Sequence, residues 1–154
     1  MLDSLVAVGH VRNHRTDPGD SDGWGDVVSR IELDERFGNQ ALTGLEEFSH
    51  ALVLFHFDQL AERPDYTGVR RPRGRDDLPA VGLFVDRGPR RPNRIGVTAA
   101  EIVSVGARAL EVRGLDAVDG TPVIDIKPVM REFEPVNIRQ PEWVARLMSE
   151  YFVR

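Results

Sequence analysis

Gly82–Val97 reads GLFVDRGPRRPNRIGV, and Asp116–Pro128 answers it with DAVDGTPVIDIKP. The first stretch sets four arginines (Arg87, Arg90, Arg91, Arg94), two prolines and Asn93 between the apolar runs Val81–Val85 and Ile95–Val105. Guanidinium groups on a proline-stiffened loop are pre-organised for phosphate or carboxylate, because proline has already lost the freedom that binding would remove. The second stretch carries Asp116, Asp119, Asp125 and Lys127 around a Gly-Thr-Pro turn. Folding alone does not require so many charges beside a strand. The two segments read as a site set on a β framework.

Working outward, the rest of the chain supplies more short strands. Ser4–Arg12 and Val27–Leu33 are valine-rich, His50–Phe57 is an unbroken apolar run, and Ala109–Arg113 and Thr121–Ile126 follow. Turns are expected at Val105–Arg108 and Val118–Gly120, and loops at Asp17–Gly25 and Glu62–Pro79, while Leu42–Phe48 reads as a short helix or turn. Pro141–Phe152 is the clearest helix, since Pro141 suits a first turn and Trp143, Leu147, Met148, Tyr151 and Phe152 share one flank. That flank is expected to pack on the chain's own sheet. The spacing favours an antiparallel barrel or sandwich over βαβ units. The expected fold is therefore mostly β: a single domain over residues 1–154, with a core at about 4–130 and a C-terminal helix at about 141–152.

Composition fits that reading. The chain has 154 residues, 41% hydrophobic and 29% charged, which suffices for one domain with a real core. No apolar run approaches the roughly 18–20 residues of a membrane helix, and the N-terminus has no signal-peptide pattern, so a cytoplasmic protein is expected. The absence of cysteine excludes disulfides, thiolate zinc sites and iron–sulfur clusters. Net charge is −5, yet residues 69–94 hold eight arginines against three aspartates, a local +5 that leaves −10 for the remainder. Clustered charge of this kind can focus a polyanion on one face. A composition of 19 arginines and one lysine explains the same cluster as simple bias. His50 and His56 would lie about 20 Å apart on a strand at roughly 3.3 Å per residue, too far to share an ion. No metal site is expected. His56 reads as core, and Asp125 and Lys127, alternating with Ile124 and Ile126, read either as a salt bridge or as one wall of a polar cavity.

Four phrases, in order, resemble the TsaA-like family, also called TrmO. They are Val8–Arg15 (VGHVRNHR), Gly44–Phe57 (GLEEFSHALVLFHF) and the two opening segments. The family's patterns are IGxIRSPY, GLExFSHxxxLFxF, GVFATRSPxRPNPIG and LDLxDGTPVLDIKPY. The resemblance implies a β-barrel that binds S-adenosylmethionine and methylates N6 of threonylcarbamoyladenosine beside the tRNA anticodon, as a homodimer. It carries cofactor contacts to Asn13, His14 and Arg15 in the first phrase and to Ser49 and His50 in the second. In the third it carries them to Arg87, Asn93 and Val97, and in the fourth to Asp119, Gly120, Thr121, Pro122 and Lys127. Asp125 and His50 are the candidate catalytic groups, with Asp125 taking the departing proton. Arg70, Arg71, Arg73, Arg75, Arg90, Arg91 and Arg94 are the candidate nucleic-acid contacts. The chain departs from the pattern at Val85-Asp86-Arg87-Gly88 for Ala-Thr-Arg-Ser, at Arg94 for proline, at Val129 for tyrosine, and at Asn13-His14-Arg15 for Ser-Pro-Tyr. Two other readings stand beside it: a methyltransferase with a small-molecule acceptor, and a non-catalytic barrel that binds an adenosyl ligand.

Overall fold

A computed structural model describes residues 4–61 and 67–154. Among the described residues eight strands form: β1 (Gly9–Arg12), β2 (Val28–Leu33), β3 (His50–His56), β4 (Val69–Arg70), β5 (Val81–Gly82), β6 (Ile95–Val105), β7 (Ala109–Arg113) and β8 (Pro122–Pro128). Six of them close an antiparallel barrel in the order β1-β2-β7-β6-β3-β8, while β4 and β5 pair apart as a small ribbon. Alternation explains the closure. Val11, Ile31, Val53, Phe55, Leu110, Val112 and Val123 each fall on the inward side of their strand and are buried, while the residues between them, polar on β1, β2 and β7 and apolar on β3, face out. Each such side chain stabilises the fold by roughly 1.5–3 kcal/mol when fully buried. The register follows: Ile31 faces Leu110, Val53 faces Ile126, and Phe55 faces Val123.

Antiparallel order sorts the connections into two ends. One end gathers residues 13–27, 57–61, 67–94 and 114–121; the other holds 34–49 and 106–108. The C-terminal helix α1 (Glu142–Met148) brings the tail back to the first end. There Gly23 N–H donates to the Glu150 carbonyl at 2.9 Å and Trp24 N–H to the Tyr151 carbonyl at 2.8 Å. Gly25 is required at this contact, because a Cβ there would lie 2.3 Å from the Phe152 carbonyl oxygen.

Several boundaries differ from the expected ones, each for a local reason. The first strand begins at Gly9 rather than Ser4; ahead of it Val8 N–H donates to the Val123 carbonyl and the Val8 carbonyl accepts from Asp34 N–H. The last strand runs Pro122–Pro128 rather than Thr121–Ile126, and the pairing continues as Val129 N–H donates to the His50 carbonyl. The run at Val81–Val85 pairs only through Gly82, after which Val85 N–H closes a turn on the Gly82 carbonyl. The helix stops at Met148, beyond which carbonyls 150 and 151 are committed to Gly23 and Trp24, and Pro141 caps it from an extended conformation outside the first turn. Of its aromatic flank, Tyr151 is tied down through its hydroxyl, which donates to Asp116, while Trp143, Leu147 and Met148 are half-buried and Phe152 is exposed. At Leu42–Phe48 only a 3-10 turn, Leu45–Glu47, forms. The expected loop Glu62–Pro79 contains β4 and a 3-10 turn at Pro72–Gly74, while its residues 62–66 lie outside the described ones.

Candidate functional site

Two groups of the sequence-derived residues are brought together, and β8 joins them. The first lies on the outer face of three neighbouring strands. Ala51, Val53 and Phe55 point into the core, so His50, Leu52, Leu54 and His56 face outward along β3. Opposite them on β8 stand Lys127, across from Leu52, and Asp125, across from Leu54. On β6, Glu101, Ala99, Val97 and Ile95 oppose His50, Leu52, Leu54 and His56 in turn. The Arg87 guanidinium donates to the Val97 carbonyl, bringing the arginine loop to this face. The result is an apolar strip of Leu52, Leu54 and Val97 edged by Arg87, His50, Lys127 and Asp125.

Asp125 and Lys127 form an ion pair at 2.6 Å, with side chains 43% and 59% exposed. The salt-bridge reading therefore applies on the outside of the barrel, and neither residue lines its interior. Asp125 Oδ1 also accepts from Ile126 N–H at 2.9 Å. Beside it opens an apolar hollow of about 500 Å³ between the 37–48 connection and the lower half of β8, in which Asp125 is the one charged lining residue. His50 is exposed and its Nδ1 is 2.8 Å from Ser49 Oγ. His56 is half-exposed on the outer face rather than in the core, because it is two positions on from outward Leu54.

The second group caps the barrel end. Asn13 is its hub: Nδ2 donates to Ser29 Oγ at 2.7 Å and to the Ala117 carbonyl at 2.9 Å, and Oδ1 accepts from Arg15 N–H. Its own N–H reaches Asp119 Oδ1 at 3.1 Å. Asp119 N–H donates to the Arg15 carbonyl and Gly120 N–H to the Val11 carbonyl, so the Gly-Thr-Pro turn is locked against the first phrase. Gly120 sits at φ 83°, a left-handed conformation that glycine adopts without strain. Thr121 is buried and Pro122 leads into the outer face of β8. Arg15 is consumed locally by Asp20, the Asp22 and Gly23 carbonyls and the ring of Trp24, whereas His14 is exposed.

Most of the arginine cluster is likewise tied inward. Arg70 bonds Asp86 and the Arg90 carbonyl, Arg71 the Leu78 carbonyl, and Arg73 Asp22 at 2.8 Å. Arg75 grips Asp77 with two hydrogen bonds, which hold the Asp77 carboxyl below its ordinary value. Arg91 holds the Asp86 and Gly88 carbonyls, and Arg94 the Leu60 carbonyl. Arg90 and Asn93 are exposed in the same loop.

One network escaped the sequence reading. Asp116 accepts from Thr98 on β6 through Oδ1 and from the Tyr151 hydroxyl through Oδ2 at 2.5 Å. Burial, and next the charge of Asp116, push the Tyr151 hydroxyl well above its ordinary value of 10.0. Thr98 gave a faint signal as a hydroxyl among the small apolar residues of β6. Its partners lie far away in sequence, so nothing local pointed to them.

The six-stranded antiparallel barrel is closed, with charged phrases at one end and along one outer face, and its class is distinct from a doubly wound α/β fold. Residues 9–134 match the family model described as tRNA-methyltransferase O N-terminal domain, TrmO_N, and the chain belongs to that family. The crystal structure of TrmO from Pseudomonas aeruginosa superimposes with a TM-score of 0.73 at 28% identity, covering 90% of this chain and 61% of that one. A human protein named tRNA (adenine(37)-N6)-methyltransferase is 39% identical over 102 residues, which is 66% of this chain but 23% of the human one. An S-adenosyl-L-methionine-binding protein from Archaeoglobus fulgidus is 37% identical over 114 residues, 74% of this chain and 78% of that protein.

Proposed function

We propose that this chain is the catalytic barrel of an S-adenosylmethionine-dependent methyltransferase. The methyl acceptor in this reading is N6 of threonylcarbamoyladenosine beside the tRNA anticodon. The observation that carries it is the family match across residues 9–134, with relatives named as tRNA adenine N6-methyltransferases and S-adenosylmethionine-binding proteins.

The outer face suits the cofactor by its donor set. Leu52, Leu54 and Val97 offer an apolar bed for a ring, Arg87, His50 and Lys127 offer donors to a carboxylate, and Asp125 offers a negative charge to a sulfonium. Bound S-adenosylmethionine supplies an electrophilic methyl group on a positively charged sulfur. The acceptor nitrogen is a weak nucleophile, so holding it in line with the methyl accounts for most of the acceleration. The nitrogen would gain the methyl carbon as the carbon–sulfur bond breaks and its electron pair stays on sulfur as a neutral thioether, and Asp125 would accept the proton that the nitrogen loses. Nothing in this step calls for a metal.

A homodimer in the cytoplasm, where tRNA is modified, completes the reading. It is supported by the arm between β8 and α1, in which Phe133, Val136 and Ile138 are 82%, 84% and 73% exposed. Exposed apolar groups so close together in the chain suit an interface. The arginine loop of one subunit would then lie near the barrel of the other.

Calorimetry with S-adenosylhomocysteine tests the site, run in chelator. Arg87→Ala and Asp119→Ala are expected to weaken binding about tenfold or more, and Asp58→Ala much less, since a charge-assisted contact contributes roughly 1.5–3 kcal/mol. Equal affinities for all three would move the site elsewhere, and loss of parent binding in chelator would refute the metal-free reading.

A further inference from the structure

Phe84 is 76% exposed and Val85 58% exposed, both at the tip of the turn that follows β5. The hydrophobic effect opposes leaving a phenyl ring in water, and this turn is held firmly enough to show that its exposure is built in. Val85 N–H closes the turn on the Gly82 carbonyl at 3.1 Å. Next to it the Asp86 carboxylate, 8% exposed, pairs with Arg70 at 3.2 Å and accepts from Gly88 N–H at 3.1 Å. Arg91 closes over the Asp86 and Gly88 carbonyls, and Arg70 also holds the Arg90 carbonyl at 3.0 Å. An ion pair so sheltered from water is costly to build and collapses if one partner leaves. Its work here is to fix a turn that presents an aromatic ring outward.

The surroundings indicate what the ring meets. Arg87 and Arg90 are exposed on the same loop, and among the described residues the Arg90 guanidinium has no hydrogen-bonded partner. An outward ring and an exposed guanidinium on one braced loop match an unpaired nucleobase on a phosphate backbone: the base stacks and the cation meets phosphate. We propose that Phe84 is the stacking platform for an unpaired base of the RNA acceptor, with Arg90 as its phosphate contact. This rests on the RNA reading of the acceptor above, but binding can be measured without methyl transfer, so the two fail separately.

The test uses the full chain, a labelled anticodon stem-loop RNA, and a blunt RNA duplex of equal length. The parent is expected to prefer the stem-loop. Phe84→Ala should lose about tenfold in affinity for it, with an unchanged slope of affinity against salt, because stacking releases no counterions. Arg90→Ala should instead lower that slope by about 0.7–0.9. Phe84→Trp should bind like the parent, and its additional indole fluorescence should be quenched when the stem-loop is added. If Phe84→Ala binds as the parent does, or the parent does not bind the stem-loop, the proposal falls. It also falls if S-adenosylhomocysteine alone quenches the Phe84→Trp indole, which would assign the ring to the cofactor. Conversion of a dimer to monomers by Phe84→Ala would overturn it in favour of a contact between copies. Phe84-dependent binding in a protein that transfers no methyl group would sustain it while removing the reaction proposed above.

Discussion

The Tyr151 hydroxyl donates to Asp116 Oδ2 at 2.5 Å, and Asp116 in turn holds Thr98, so the chain's last turn is bonded to β6. Arg73 lies 5.4 Å from the Tyr151 ring and pairs with Asp22, which ties the arginine segment into the same clasp. Tyr151→Phe keeps the ring and removes one hydrogen bond to a carboxylate. The expected cost is about 1–2 kcal/mol, or roughly 2–8 °C in Tm for a chain of this size. Gly25→Ala should release the same tail by collision with the Phe152 carbonyl. An unchanged melting curve for both variants would show that the clasp contributes nothing.

The clasp should weaken with rising pH. The docked Tyr151 hydroxyl titrates above its ordinary value of 10.0, chiefly through burial. Below that pH the hydroxyl is protonated whether docked or released, and the bond is at full strength. Above it only the released tail ionises, so stability falls as pH rises. Between about pH 9 and 11 the parent should lose Tm more steeply than Tyr151→Phe. Parallel losses would contradict this.

Asn13→Ala should loosen the barrel end. It strips a partner from Ser29, whose side chain is fully buried, and from the Ala117 carbonyl. The cost is about 1–3 kcal/mol. Hydrogen exchange should quicken at the Asp119 and Gly120 amides, which bond the Arg15 and Val11 carbonyls. Unaltered exchange there would mean that the turn holds itself.

Arg70→Ala should disorder the arginine loop rather than merely remove a surface charge. Asp86 would keep a sheltered carboxylate without its counter-ion. Faster exchange at the Val85 and Gly88 amides is the expected sign. Replacing Arg70, Arg71, Arg73 and Arg75 together would confuse this structural loss with any loss of RNA contact.

The barrel was legible because its strands declare themselves by period or as a short apolar run. Ile31 alternates with Arg30 and Glu32, whereas in the unbroken run at His50–Phe57 only the register tells the inward set from the outward one. The two charged phrases were read as a site from their residues, and the fold brings Arg87, Val97, Asp125 and Lys127 to one face. What sequence did not reveal depends on distant partners. Arg73 and Arg75 read as free cations, yet Asp22, Asp77 and the Arg146 carbonyl take them up. Asp125 and Lys127 share a face by alternation, but which side of the barrel that face meets is set by the inward positions of β3. Beyond the end of helix α1, the carbonyls of Glu150 and Tyr151 are taken by Gly23 and Trp24, which lie far upstream in the sequence.

The central claim is methyl transfer to tRNA, and nucleoside mass spectrometry tests it most directly. Purified chain, S-adenosylmethionine and tRNA lacking the modification are incubated, and the tRNA is digested and analysed. The account predicts one added methyl group on threonylcarbamoyladenosine, lost in Asp125→Asn and reduced in Arg87→Ala. Unmethylated tRNA from a protein that binds S-adenosylhomocysteine normally would contradict it.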